Sequence, residues 1–354
     1  MKIAFVCESL SFGGIERVIS VLSDSFIEEG NSVSVITSVS ADSSYKLNDK
    51  IKVFQLKYGK NDNSLKRAVD KIRSLCNNIK ENRYDVVIAF GFKCSCYTLL
   101  ARKNTGVKVV ISERTDPDSY GNKYLRKIRD ILFKKSNLMV CQTKYVKKYY
   151  AKRKVRNISV IPNPIKADLP EPYYGERKKE IVNFCRLNKQ KNIPLLLDAF
   201  SDLYKIHPEY TLKIYGEGEL KNELLNYIQN HDLSNAVSIV NFTDNIHNEI
   251  LHSAMFVSSS DFEGISNSML ESLALGLPCI CTDCPVGGAS LVIKNGVNGM
   301  LVPVRDRKAL FSAMKFMAEN TDKAAEMGRN ACQVRERFSV DAITEKWKRA
   351  LESI

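Results

Sequence analysis

The chain has 354 residues, 44% of them hydrophobic and 26% charged, an ordinary soluble globular balance with apolar side chains enough for about two cores of roughly 150 residues each. No stretch approaches the ~18–20 continuous apolar residues of a membrane span. The first apolar run, Ile3–Cys7, is ended by Glu8, too short for the core of a secretion signal, so a cytoplasmic location is expected.

Short apolar runs alternate with helix-like stretches along the chain. Lys2–Cys7 predicts a strand. Ile15–Glu29 predicts a helix with Val18, Ile19, Leu22 and Phe26 on one face, ended by Gly30. Ser32–Thr37 predicts a strand, and Leu65–Lys80 carries apolar residues at helical spacing. Val86–Phe90 and Val107–Ser112 are buried-strand candidates. Ile161-Pro162-Asn163-Pro164 then interrupts the pattern, and because proline continues neither a helix nor a central strand, it is the expected linker. A second series follows: strand Ile181–Cys185, helix Ile193–Lys205, strand Thr211–Tyr215, helix Lys221–His231, strands Val237–Val240 and Met255–Ser258, helix Ser268–Leu275 and strand Pro278–Thr282. Such βαβα alternation, twice over, predicts two α/β domains with parallel sheets. The last helix, Val340–Leu351, carries the only tryptophan, Trp347; it either caps the second domain or crosses back to the first.

Ten cysteines are present, several inside strand-like runs, where reduced thiols serve as small hydrophobic residues. Cys279, Cys281 and Cys284 cluster, but no second pair or nearby histidine completes a metal site.

Three loops carry candidate chemistry. Gly13 and Gly14 sit between the first strand and first helix, where they either bring backbone amides to a phosphate or sugar at a helix N-terminus or simply make a tight turn. Arg186 and Lys191 follow the first strand of the second domain, at the end of a sheet where open α/β folds bind ligands. A guanidinium fork and an ammonium can neutralise a diphosphate there, or both are solvated surface. The segment from Glu263 to Glu271 joins a strand to a helix. Ser266, Asn267 and Ser268 are able helix caps, the free amides beside Met269 suit a phosphate, and a carboxylate can accept two hydroxyls of a ribose. Alternatively Glu271 only favours the positive helix end.

Together, Gly13-Gly14, Arg186 with Lys191, the turn Tyr215-Gly216-Glu217-Gly218, the Glu263/Glu271 pair followed by Ala274-Leu275-Gly276-Leu277-Pro278, and Asn295–Pro303 resemble the retaining glycosyltransferases of family 4. The subgroup that makes bacterial surface polysaccharides is the nearest in pattern. The resemblance implies the GT-B fold: two Rossmann-like domains facing each other across a cleft, with the C-terminal helix crossing back to the N-terminal domain. The domains would be 1–165 completed by 338–354, binding acceptor, and 166–337, binding the nucleotide sugar. It implies transfer of a hexose or N-acetylhexosamine from a UDP-sugar to a lipid-linked or growing glycan, with retention and without a metal or other cofactor. Arg186 and Lys191 would hold the diphosphate, Glu263 the transferred sugar and Glu271 the ribose. Backbone around Ser266–Met269 would hold phosphate. Gly216 and Gly218 would let backbone approach the nucleotide, Asn241-Phe242-Thr243 would border the base, and Gly13 and Gly14 would line the cleft.

Two departures stand out. All four histidines lie in the second domain, whereas many relatives have one near the donor sugar in the first. In its place Ser112-Glu113-Arg114 ends a strand; Glu113 and Arg114 either face a sugar or form a buried ion pair. Relatives also often carry an acid near Leu291. Asp116-Pro117-Asp118 spells a D-x-D but lacks the context of the metal-dependent transferases.

Of the net charge of +13, thirteen Lys/Arg against one acid, Asp130, lie between Lys123 and Arg156. A charge so localised calls for an anionic partner. Tyr124, Leu125, Ile128, Ile131 and Leu132 fall at helical spacing among the lysines. Such a helix suits an anionic membrane surface, or it packs its apolar face on its own sheet with the lysines solvated; both can hold. A peripheral position at the inner face of the plasma membrane is therefore expected, and no nucleic-acid motif accompanies the charge. A nucleotide-sugar epimerase or hydrolase on the same fold, and a non-catalytic nucleotide-sugar-binding protein, are the competing readings.

Overall fold

The computed structural model describes residues 1–10, 14–40, 47–59, 63–103 and 105–354. Two compact units make up the chain: Met1–Pro164 with Val340–Ile354, and Ile165–Ser339. The sequence reading sets the junctions at 165/166 and 337/338.

The first unit runs β1 (Lys2–Cys7), α1 (Gly14–Glu28), β2 (Ser32–Thr37), β3 (Lys52–Gln55), α2 (Ser64–Asn82), β4 (Val86–Phe90), α3 (Phe92–Ala101), β5 (Lys108–Glu113), α4 (Lys123–Phe133), β6 (Leu138–Cys141), α5 (Lys144–Lys152) and β7 (Ile158–Val160). Its strands are all parallel, in the order β3-β2-β1-β4-β5-β6-β7. The central strands are unbroken apolar runs because helices cover both faces of a parallel sheet; Ile3 to Cys7 and Val86 to Phe90 are buried throughout. Asn63, Asn122 and Thr143 cap α2, α4 and α5 through their side-chain oxygens.

The second unit runs β8 (Lys178–Phe184), α6 (Ile193–Tyr204), β9 (Thr211–Tyr215), α7 (Lys221–Asn230), β10 (Val237–Val240), α8 (Ile246–Ile250), β11 (Ser253–Ser258), α9 (Asn267–Ala274), β12 (Cys279–Thr282), β13 (Met300–Val302), α10 (Arg307–Glu319), α11 (Thr321–Ala331) and α12 (Val334–Arg337). The sheet is again parallel, in the order β10-β9-β8-β11-β12-β13. Leu196, Phe200 and Leu203 of α6 share a core with Leu310, Met314 and Met317 of α10 and with Ile181, Leu212 and Ile214 of the sheet.

The tail helix α13 (Val340–Glu352) belongs to the first unit. Trp347 is fully buried there, its ring 6.2 Å from that of Phe90, and Lys348 pairs with Glu29, just past α1. The strand order reverses between β1 and β4 in one sheet and between β8 and β11 in the other. In open parallel sheets, ligands bind beyond the carboxyl ends of the strands at such a reversal.

Candidate active site

In the second unit, the loops leaving β8 and β11 flank the reversal. The first makes a single 3₁₀ turn, Lys189–Lys191, in which the Asn188 side chain accepts a hydrogen bond from the Lys191 amide at 3.3 Å. Asn192 then adopts φ 44°, a left-handed conformation that asparagine tolerates. Its amide nitrogen donates to Asp261 at 2.9 Å. The Ser259 hydroxyl lies 3.0 and 2.9 Å from the Lys191 and Asn192 carbonyls. Gln190 reaches the Phe262 carbonyl at 2.8 Å and accepts from the Asp261 amide at 2.9 Å. The two loops are thus stitched together along their length, which fixes the side chains they carry.

Those side chains are Lys191 and Glu263, which form an ion pair with each side chain 17% exposed. The Ser260 hydroxyl donates to the same Glu263 oxygen at 3.2 Å. Burial acts to lower the Lys191 pKa, but the Glu263 carboxylate outweighs it and raises the net value, so Lys191 is a held cation. Arg186, on the same loop, is exposed. Gly288 lets the loop after β12 come against the Gly264 carbonyl, which a Cβ would meet at 1.6 Å.

Ser266 caps α9, its hydroxyl accepting from the Met269 amide at 3.4 Å and lying 2.9 Å from the Ser268 hydroxyl. The Met269 amide is therefore taken up by the cap, and its side chain is buried. The first-turn amide of Ser268 has no earlier helical carbonyl to bond.

Glu271 lies in the second turn of α9 and is 3% exposed. His247 of α8 meets it, Nε2 to Oε2 at 2.6 Å. His247 is the residue that sequence reasoning missed. Its only signal was its place a few residues after Phe242 and Thr243, and the pairing spans 24 residues.

Gly216 and Gly218 bring backbone close, but to a neighbouring loop: a Cβ would stand 1.9 Å from the Cys185 carbonyl at Gly216 and 2.3 Å from that of Leu187 at Gly218. They seat the β9 loop against the loop that carries Arg186. Phe242 is 41% exposed, and Thr243 is half-buried. Cys279 and Cys284 donate to backbone carbonyls at 3.2 Å each; burial pushes the Cys284 thiol up to about 12 and disfavours the thiolate a metal needs.

In the first unit Gly13 lies outside the described residues, and Gly14 begins α1. Glu113 and Arg114 are both buried but do not pair, which corrects the ion-pair expectation. Glu113 accepts from the Tyr150 hydroxyl at 3.0 Å and the Tyr120 hydroxyl at 3.2 Å. Arg114 donates to Ser112 at 2.7 Å and Asn163 at 2.8 Å, and lies over the rings of Phe90 and Trp347. Burial raises the Glu113 pKa against the charge of Arg129, and burial lowers that of Arg114 to about 10. Asp116 and Asp118 shape a turn: the Asp116 carboxylate accepts from the Asp118 amide at 2.9 Å, and Asp118 accepts from the Tyr149 hydroxyl at 2.8 Å. A recess of about 800 Å³ lined by Met1, Asp85 and Lys108 lies at the amino ends of this unit's strands, opposite the ends where such sheets bind ligands.

The β8–β11 reversal is that of a Rossmann-like parallel sheet, the place where such sheets bind ligands. The sequence profile for glycosyl transferases group 1 matches residues 168–334, and that for glycosyltransferase family 4 matches residues 12–169. The chain belongs to this family of glycosyltransferases, and its two parallel-sheet units are those of the GT-B fold. It is 24% identical over 360 residues to a Campylobacter jejuni α-1,4-N-acetyl-D-galactosaminyltransferase named for a GalNAc-GalNAc-diNAcBac-PP-undecaprenol acceptor, covering 100% of this chain and 99% of that protein. It is 24% identical over 340 residues to the Escherichia coli UDP-Gal:α-D-GlcNAc-diphosphoundecaprenol α-1,3-galactosyltransferase, covering 89% and 87%. The Anabaena protein HepE, solved with UDP, superposes over 100% of both chains with a TM-score of 0.83 at 20% identity.

Proposed function

We propose that the protein transfers a hexose or N-acetylhexosamine, with retention, from a UDP-sugar to a hydroxyl of a polyprenyl-diphosphate-linked glycan. The observation that carries this is the Lys191–Glu263 pair, held by two stitched loops at the reversal of the second sheet. A diphosphate arriving there takes Lys191 and exposed Arg186 as counter-charges, with the first-turn amide of Ser268 beside them. Glu263, released from Lys191, accepts hydrogen bonds from the sugar. Glu271 takes the ribose, Phe242 and Thr243 border the base, and Gly216 and Gly218 shape that wall by seating one loop on the other.

The bond from the anomeric carbon to the diphosphate oxygen breaks with its electron pair on that oxygen. The acceptor oxygen adds on the same face, and its proton passes to the leaving diphosphate. Stabilising that diphosphate by cations and an amide already in place is the main catalytic contribution, and it requires no metal. The two relatives are named for α-linked products; from an α-linked nucleotide sugar, that outcome is retention. The first unit takes the acceptor, with Gly14, Glu113, Ser112 and Arg114 as its candidate contributors. The enzyme works in the cytoplasm, peripheral to the inner face of the plasma membrane, through the basic segment 123–156.

A donor screen tests the proposal. Release of nucleoside diphosphate from UDP, GDP and ADP sugars is followed with and without EDTA. Turnover of a UDP-sugar that survives EDTA and falls about 10²–10³-fold in Glu263→Gln is expected. Full activity in Glu263→Gln sinks the mechanism, and loss with EDTA brings Asp116 and Asp118 back into question.

A further inference from the structure

Helix α4 packs Leu132 and Phe133 inward beside Arg129 and leaves a second apolar stripe facing out. A surface helix ordinarily buries its apolar stripe and turns its cations to water. Here Tyr124, Ile128 and Ile131, at positions i, i+4 and i+7, are 64%, 52% and 58% exposed, while Arg129 on the opposite side is 0% exposed. Of the apolar set read from the sequence, Leu132 is buried and Leu125 is exposed, so the expectation that this face packs on its own sheet is overturned. Lys123, Lys127, Lys134 and Lys135 surround the exposed stripe.

The orientation is locked. Arg129 donates to Asp130 at 2.9 Å, to the Pro117 carbonyl at 2.5 Å and to the Tyr149 hydroxyl at 3.1 Å, and its guanidinium lies over the rings of Tyr149 and Tyr150. Asp130 also accepts from Arg153 beyond α5. Rolling the stripe inward would strip a buried cation of these partners, which is strongly unfavourable. Single exposed apolar side chains need no explanation; a row of them ringed by lysines marks an interaction surface.

We propose that α4 docks on an anionic lipid surface by inserting Tyr124, Ile128 and Ile131, with the surrounding lysines on the headgroups. The proposal rests on the peripheral-membrane reading above and deepens it: apolar insertion, not charge alone, holds the protein there. Charge selects the occupant. Thirteen cations against one acid in this segment would repel a second copy of the same face, whereas anionic headgroups complement the lysines and acyl chains complement the stripe.

The full chain is sedimented with vesicles of phosphatidylcholine with phosphatidylglycerol and of phosphatidylcholine alone, across a salt series. The wild type is expected to bind the mixed vesicles and to keep part of that binding when salt screens the lysines. The triple variant Tyr124→Ser/Ile128→Ser/Ile131→Ser is expected to bind at least about tenfold more weakly, with its melting transition and its hydrolysis of the nucleotide sugar in water unchanged. Equal binding by the variant, complete release of the wild type by salt, or a wild-type dimer that the variant dissolves without any vesicle binding each overturns the proposal. Because docking and hydrolysis are read separately, absence of turnover with every nucleotide sugar would sink the enzymatic proposal and leave the docking result standing.

Discussion

Each unit holds an enclosed cation against a carboxylate, Arg129 fully buried and Lys191 half-buried, and the two pairs are built differently. Arg129 of the first unit is enclosed by Asp130, Pro117 and the side chains of Tyr149 and Tyr150. Lys191 of the second meets one carboxylate, that of Glu263. A guanidinium bonded through all three of its nitrogens locks a helix in place; an ammonium on a flexible stem with one anionic partner can exchange it for another. The contrast separates a device that orients a surface from one proposed to handle a ligand, although each is a cation paired with a carboxylate.

The largest expected effect tests that contrast. Arg129→Ala should destabilise the protein by about 3–5 kcal/mol and lower its melting temperature by several degrees. Lys191→Ala should shift melting far less while cutting kcat/KM about 10²–10³-fold. Calorimetry beside steady-state kinetics reads both, and equal losses of stability would break the comparison.

A smaller effect sharpens the site itself. His247 does not reach the proposed chemistry but positions Glu271 through a 2.6 Å contact. His247→Ala should raise the KM for the nucleotide sugar about tenfold with kcat little changed, the pattern of lost ground-state binding. His247→Gln, which keeps a donor, should recover most of it. A fall in kcat without a change in KM would assign His247 another role.

The strands at the centres of both sheets were legible because they are buried on both faces and read as apolar runs. Of the four edge strands only β10 was: β3 is largely exposed and carries no such run, and β7 and β13 are three residues each. Helix α3 escaped because Cys94, Ser95, Cys96, Thr98 and Leu99 are all buried, leaving no polar stripe to give a period. For α4 the period was legible but its facing was not, since that is decided by Pro117 and Tyr149, which lie outside the helix. The loop cations and glutamates were legible as a pattern, yet the Lys191–Glu263 pair spans 72 residues, and only the strand order brings it together.

The smallest effect concerns Glu113, which shares the first unit with Arg129. Burial raises its pKa above the ordinary glutamate value of 4.5, and Arg129 and the hydroxyls of Tyr150 and Tyr120 pull it only part of the way back. The folded protein therefore holds this proton more tightly than the unfolded chain does. Its contribution to stability is complete below pH 4.5 and is lost as pH rises through the raised value. Glu113→Gln keeps an oxygen that can accept from both tyrosines but has no proton to lose. The melting temperature of the variant relative to wild type should accordingly climb from about pH 4.5 upward and level off once the wild-type carboxyl is ionised, a change of a few degrees at most. A difference that stays flat across that range would mean that Glu113 is already ionised in its buried site, with Arg129 and the two hydroxyls fully offsetting the cost of burial.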